Sequence, residues 1–137
     1  MLSIIIVFAV IFVGGLDSGI IKTIGICVTI FCIGSYVITA LKNPGIEYRS
    51  NEDDLNLVKA TQLCKICNVI KLPNTMHCED CEVCIRDYDH HCPWTGKCIG
   101  GGNLRFFYAF LFGIMAFIVF MVIAACYKVS LNKVKPN

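Results

Sequence analysis

Between Cys64 and Cys98 the chain reads CKICNVIKLPNTMHCEDCEVCIRDYDHHCPWTGKC, and no other stretch limits the possible folds so strongly. Seven of the ten cysteines and all three histidines fall within it. Cys64-x2-Cys67, Cys78-x2-Cys81 and Cys81-x2-Cys84 have the close spacing that lets two thiolates of one tight turn grip the same ion. A structural zinc ion takes four ligands, usually four cysteines, three cysteines with a histidine, or two of each. Two sites of three cysteines and one histidine leave one thiol and one imidazole over. That surplus pair is the minimal unit of a cysteine nucleophile with its base. An all-cysteine site combined with a one-histidine site would instead leave two histidines and no thiol. Spacing alone leaves both partitions open. The remaining Cys27, Cys32 and Cys126 sit in apolar runs and read as packing residues.

Ten cysteines in a short chain also fit a disulfide scaffold. The CxxC pairs with interleaved histidines favour zinc instead. Zinc thiolates need a reducing compartment, which places this stretch on the cytosolic side of any membrane. Its apolar residues, Ile66, Val69, Ile70, Leu72, Val83 and Ile85, are too few for a core. The folding energy therefore comes largely from metal. Short hairpins and turns are expected, with Pro73 and Pro93 as breakers. No internal repeat is read along the chain.

Composition decides what surrounds this segment. A hydrophobic content of 56% with 16% charged residues is too apolar for a soluble domain of 137 residues. A net charge of +2 is too small to argue for nucleic acid as a partner. Residues 1–15 are apolar and uncharged and read as a first transmembrane helix. At about 1.5 Å per residue they reach roughly 22 Å, short of the roughly 30 Å hydrocarbon core, so this helix is short or its true start lies upstream. A signal peptide would need a basic n-region and a small-residue cleavage site, and neither is present. Residues 19–41 carry one charge, Lys22, near their start and are long enough to span. Gly25, Gly34, Ser35 and Ala40 are small enough to admit a neighbouring helix. Asn43-Pro44-Gly45 stops that span. Residues 46–61, with Arg49, Glu52, Asp53 and Asp54, read as a polar linker. Gly100-Gly101-Gly102-Asn103 reads as a flexible loop before Arg105 and the aromatic entry Phe106-Phe107-Tyr108. Residues 106–127 form a third uncharged span, and residues 128–137 a tail with Lys128, Lys133 and Lys135. The fold class expected is an α-helical integral membrane protein. Three transmembrane helices carry a cytosolic, zinc-stabilised cysteine-rich domain, residues 42–105, between the second and third.

Asp89-His90-His91-Cys92-Pro93-Trp94 resembles the signature of the Asp-His-His-Cys (DHHC) protein S-acyltransferases, the integral-membrane palmitoyltransferases. The resemblance extends through Cys64-x2-Cys67, Pro73, His77-Cys78-x2-Cys81-x2-Cys84, Cys98, Ile99-Gly100, Asn103 and Arg105-x-Phe107. Asn43-Pro44-Gly45 is similar to the Asp-Pro-Gly motif that follows the second span in that family. The resemblance implies two interleaved structural zinc ions. Cys64, Cys67, His77 and Cys84 would hold one, and Cys78, Cys81, His91 and Cys98 the other. It implies Cys92 as the acylated nucleophile, His90 as its base and Asp89 as the carboxylate orienting the imidazole. It further implies palmitoyl-CoA, or another long-chain acyl-CoA, as donor. The acceptors implied are membrane-proximal cysteines of substrate proteins. Residence would be in the endomembrane system, ER or Golgi. The acyl chain would lie in an apolar slot supplied by the transmembrane helices. Trp94 would sit at the interface near that slot or pack the coreless domain. Basic residues near the membrane would meet the CoA phosphates, and the sequence does not choose among Lys71, Arg86, Lys97 and Arg105.

The chain departs from the common pattern at Asn74-Thr75-Met76, where Arg-Ser-His is usual, at Asp87, and at Asn43. A fourth span and the Thr-Thr-x-Glu motif near it are not found. With three spans and a cytosolic zinc segment, the three tail lysines fall on the lumenal side, against the positive-inside rule. A truncated or atypical member accounts for this. The alternative function is a catalytically silent zinc-containing membrane adaptor, which the intact Asp89, His90 and Cys92 argue against. A RING-type ubiquitin ligase would need a terminal CxxC-type pair, which Cys92-x5-Cys98 does not provide.

Overall fold

A computed structural model describes residues 2–16, 18–48 and 63–134, the side chains of 132 and 134 apart. Most of the expected linker, including Arg49, Glu52, Asp53 and Asp54, and the tail residue Lys135 lie outside these residues. The chain divides into two compact units: Met1–Val37 together with Tyr108–Asn137, and Ile38–Phe107.

The first unit is helical, built from α1 (Leu2–Gly14), most of α2 (Gly19–Leu41) and most of α3 (Leu104–Val134). Ile5, Ala9 and Val13 are buried on α1 at helical i, i+4 spacing. Val13 and Leu16 pack on Ala124, flanked by Phe12, Ile21 and Phe120. Where α2 meets α3, small residues set the distance. A methyl at Gly25 would come within 2.6 Å of the Phe120 ring, and one at Gly113 within 3.0 Å of the Cys32 backbone. Of the small residues expected to admit a helix, Gly25 does so and Gly34 faces open space. Ser35 is buried and donates to the Phe31 carbonyl at 2.8 Å, and Ala40 is half-buried. Val10, Ile11, Ile20, Ile30, Phe112 and Ile123 all face outward. Apolar side chains exposed on every helix suit lipid rather than water.

Gly19–Leu41 and Leu104–Leu131 are long and apolar enough to cross a membrane. The 13 residues of α1 reach only about 20 Å and fall short of the hydrocarbon thickness. Helix α3 does not end at Tyr127, where the expected tail begins. It continues to Val134, because no breaker occurs before Pro136. Lys128 Nζ then donates to the Gly15 carbonyl at 3.3 Å, satisfying an orphan acceptor just past α1.

The second unit is three antiparallel two-stranded hairpins: β1 (Leu63–Cys64) with β2 (Val69–Ile70), β3 (Met76–Cys78) with β4 (Val83–Ile85), and β5 (His90–Cys92) with β6 (Lys97–Ile99). Contrary to the sequence reading, they are an internal repeat. Cys64, Cys78 and Cys92 stand 14 residues apart, and their cross-strand partners Val69, Val83 and Lys97 are equivalent. Each hairpin closes with a residue in the left-handed region: Asn68 at φ 52°, Glu82 at 55° and Gly96 at 66°. The Asn68 and Gly96 amides donate to the carbonyls of Cys64 and Cys92 at 2.8 and 2.9 Å.

The expected flexible loop is a packed junction. A methyl on Gly102 would lie 2.3 Å from the Asn43 carbonyl, and one on Gly100 2.6 Å from Ile85. Gly102 N donates to the Pro44 carbonyl, Gly101 N to that of Arg86, and Arg86 N to that of Gly45. Asn43 Oδ1 accepts from the amides of Gly45 and Ile46, so it closes the turn as an aspartate would. Asn103 is 0% exposed, with its side chain turned back into the domain.

Candidate metal centres and active site

The repeat dictates how the ligands interleave. Each CxxC turn meets the cross-strand pair of the next hairpin. Cys64 and Cys67 converge on the pair His77 and Cys84, and Cys78 and Cys81 on the pair His91 and Cys98. In hairpin β1–β2 the equivalent pair is Leu63 and Ile70, which carry no ligand atom.

The donor spacing matches the size of a zinc ion. Tetrahedral donors at about 2.3 Å for sulfur and about 2.0 Å for nitrogen lie roughly 3.6 Å apart. His77 Nδ1 lies 3.8, 3.2 and 3.9 Å from the sulfurs of Cys64, Cys67 and Cys84. His91 Nδ1 lies 3.7, 3.3 and 3.8 Å from those of Cys78, Cys81 and Cys98. Cys81 and Cys98 are 3.4 Å apart. Both clusters can hold a metal ion, and in each the nitrogen offered is Nδ1. Charge points the same way. Burial, then the adjacent Cys64 and Cys67, push the Cys84 thiol up to about 12. Burial with Cys78 and Cys81 raises Cys98 likewise. At Cys64 and Cys78 burial opposes ionisation, yet backbone amides and neighbouring thiols outweigh it and bring both down to about 7. Three thiolates crowded at van der Waals distance need a cation among them. Four of the ligands, Cys64, Cys78, Cys84 and Cys98, are buried and sit in the small hydrophobic cores of this unit. Cys64, Val69 and Cys84 form one small core, and Cys78, Ile85 and Cys98 the other. Tyr88, which sequence reasoning passed over, packs on the second core.

Cys92 belongs to neither cluster. It is 2% exposed on β5, one residue beyond the ligand His91. Alternation along a strand sends His91 to one face and His90 and Cys92 to the other. His90 Nδ1 lies 3.7 Å from Asp89 Oδ1, both side chains being roughly two-fifths exposed (39% and 43%). That is beyond hydrogen-bond length. With Nδ1 turned to the carboxylate, Nε2 is the nitrogen left for proton exchange. The Phe107 ring meets the imidazole edge-on at 5.1 Å, a contact no sequence pattern announces.

Of the four cations considered for phosphate, Arg86 pairs with Glu47. Lys97 Nζ donates to the Lys42 carbonyl at 2.8 Å. Arg105 lies over the Phe106 ring, its guanidinium 4.7 Å from the centroid. Lys71 is half-buried after β2. Trp94 is 66% exposed and so does not pack the domain interior.

These features define a membrane-associated protein whose cysteine-rich domain is organised by two candidate metal clusters and carries one further buried thiol two residues from an imidazole on the same strand. The DHHC palmitoyltransferase profile matches residues 57–136, more than half of the sequence. The chain belongs to the DHHC palmitoyltransferase family. It is 37% identical over 113 residues to palmitoyltransferase akr1 of Schizosaccharomyces pombe, covering 74% of this chain and 18% of that protein. It is 31% identical over 105 residues to palmitoyltransferase ZDHHC5-A of Danio rerio, covering 65% and 14%. It is 50% identical over 48 residues to palmitoyltransferase ZDHHC18 of Mus musculus, covering 35% and 13%. The chain thus spans less than a fifth of the length of these relatives.

Proposed function

We propose that this chain is a protein S-palmitoyltransferase. Cys92 is the acyl carrier, His90 its base and Asp89 the carboxylate that holds the imidazole. One observation carries the reading: Cys92 occupies the position whose counterparts in the two preceding hairpins, Cys64 and Cys78, join the candidate metal clusters, yet it stands outside both clusters and on the strand face of His90. Family membership supports it.

In the first transfer His90 takes the Cys92 proton, and the sulfur attacks the thioester carbonyl of a long-chain acyl-CoA. The carbonyl-to-CoA sulfur bond breaks, and the CoA thiolate recovers the proton. In the second, a substrate-protein thiol gives its proton to His90 and attacks the acyl group on Cys92. The Cys92 sulfur then leaves and is reprotonated. Thioester exchanges for thioester, so positioning supplies most of the rate. Zinc at Cys64, Cys67, His77 and Cys84, and at Cys78, Cys81, His91 and Cys98, would supply structure alone. His91 cannot act as base while its Nδ1 serves the cluster and its strand face points away from Cys92.

The reading includes three spans, from residues 1–15, 19–41 and 106–127, and a cytosolic hairpin domain at an ER or Golgi membrane. The experiment feeds an alkyne-tagged fatty acid to cells expressing the chain. Hydroxylamine-sensitive label that disappears in Cys92→Ser and falls sharply in His90→Ala is expected. A zinc-loaded wild type without label would overturn the assignment.

A further inference from the structure

The fold collects charge that the sequence scatters. Lys42 follows the last residue of α2, Arg105 is the second residue of α3, and Lys97 opens β6. Lys97 is 55 residues from Lys42 in the chain, yet its Nζ donates to the Lys42 carbonyl at 2.8 Å, next to the end of α2. An ammonium has three donors, so two remain for another acceptor. Lys42 Nζ and the Arg105 guanidinium both lie over the Phe106 ring, 4.9 and 4.7 Å from its centroid. A ring attracts cations but cancels no charge. Among the described residues, the ion pairs join Arg86 to Glu47 and His90 to Asp89, and none involves Lys42, Lys97 or Arg105. Cations gathered without a carboxylate repel one another, and an anion relieves that repulsion. Lys97 also lines a groove of about 300 Å³ whose apolar walls include Leu41, Pro44, Ile46, Val83 and Ile85.

We propose that Lys42, Lys97 and Arg105 bind the headgroup of one anionic phospholipid, with the apolar part of the lipid entering along the adjoining groove. Depth and charge select this occupant. Gly19–Leu41 and Leu104–Leu131 are long and apolar enough to cross a membrane, so Lys42 and Arg105 fall where those spans meet the lipid headgroups. A phosphate of coenzyme A is the competing anion. Lys97 stands directly opposite Cys92 across β5–β6, whereas the pantetheine arm holds the pyrophosphate of an acyl-CoA far more than one strand spacing from its thioester. A lipid of no net charge would leave the cations unbalanced. Bound here, an anionic lipid would hold β6, and with it Cys92, at the membrane surface. The inference rests on the transferase reading for that consequence alone.

The test places the full chain in nanodiscs of phosphatidylcholine with a minor share of phosphatidylserine. Lipids retained after gentle extraction are counted by native mass spectrometry, and zinc is measured on the same samples. The wild type should keep one phosphatidylserine in preference to phosphatidylcholine. Lys42→Met, Lys97→Met and Arg105→Gln should each weaken that preference about fivefold. Zinc content should stay unchanged, and Lys97→Arg should keep the preference. Equal retention of both lipids by the wild type, or an unchanged preference in the variants, would overturn the proposal. Should Lys97→Met lose zinc, Arg105→Gln decides, since that guanidinium lies on an exposed residue over a ring. Free coenzyme A, added before extraction, separates the two phosphate sources. Phosphatidylserine that stays bound supports the lipid, and phosphatidylserine displaced by coenzyme A would overturn it. Neither readout depends on acyl transfer. A wild type that fails to acylate but selects phosphatidylserine would remove the enzyme reading and leave this one standing.

Discussion

Asn103 is the residue whose replacement should do most damage without touching a ligand or a catalytic group. Its Oδ1 accepts from Gly100 N at 3.0 Å, and its Nδ2 donates to the carbonyls of Thr39 at 3.3 Å and Cys98 at 3.1 Å. One fully buried amide thus ties the end of α2, the strand carrying a ligand of the second cluster and the start of α3. Asn103→Ala removes three hydrogen bonds to buried backbone groups, at about 0.5–1.5 kcal/mol each, with about 1–3 kcal/mol for a buried group left unpaired. Water entering the vacated space recovers part of this, so a net loss of about 3–5 kcal/mol is expected, a large share of a stability of about 5–15 kcal/mol. Asn103→Asp is the sharper perturbation. It keeps shape and acceptor but turns a negative oxygen toward two carbonyls, so it should be at least as harmful as alanine. The assay is metal release into a chromogenic chelator during urea titration of detergent-solubilised protein. Both variants should release metal at distinctly lower urea, with the opening equilibrium shifted about a hundredfold or more. An Asn103→Asp chain that holds metal as firmly as wild type would refute the reasoning, because the donors would then be dispensable.

Other consequences separate the parts of the molecule. Chelation at neutral pH should collapse the hairpins and expose the cluster cysteines to alkylation while the helical circular dichroism persists, because the hairpin cores are made of ligands. Acidification should release the same metal, protons competing for the thiolates as pH falls. Gly102→Ala should lower the thermal midpoint by several degrees, since its methyl would meet the Asn43 carbonyl at 2.3 Å. Gly34→Ala, with open space around it, should be neutral or raise it. Asp89→Asn should lower acyl labelling of Cys92 by about 10²–10⁴-fold with metal content unchanged. Phe107→Ala should lower labelling less, and Phe107→Tyr should restore it, if the ring acts by holding His90.

Residue type carried much of the design, and residue type also limited what could be read. The two clusters were visible because cysteine and histidine are rare and close spacing constrains them. The partition was not, because spacing alone cannot say which turn faces which strand. The repeat stayed hidden for a related reason. Its defining features are register and the left-handed residues Asn68, Glu82 and Gly96, which share no side chain. The end copies also carry Leu63, Ile70 and Thr95 at positions where the other copies carry ligands. The Gly-Gly-Gly-Asn run read as flexible because glycine permits freedom. Here it permits close approach, and only the positions of Asn43, Pro44 and Ile85 distinguish the two. An apolar helix through Phe106–Tyr127 was legible from hydropathy, but its end at Val134 was not. Lysines mark where water begins, and a helix need not stop there.

The interleaving also explains how Cys92 can sit beside His91 without joining its cluster. On β5, successive side chains alternate between faces, so His91 can anchor the strand to the second cluster while His90 and Cys92 face away from it. The pairing His91 with Cys98 fixes register, and a slip of one residue would exchange the two faces. Metal at the second cluster would therefore do more than stabilise: it would decide which of two adjacent histidines is the base. Cys78→Ser should consequently impair acyl labelling more than Cys64→Ser at equal metal loss, since only the second cluster holds β5. Equal loss of labelling in both variants would mean that the metals act through global stability and not through the register of this strand.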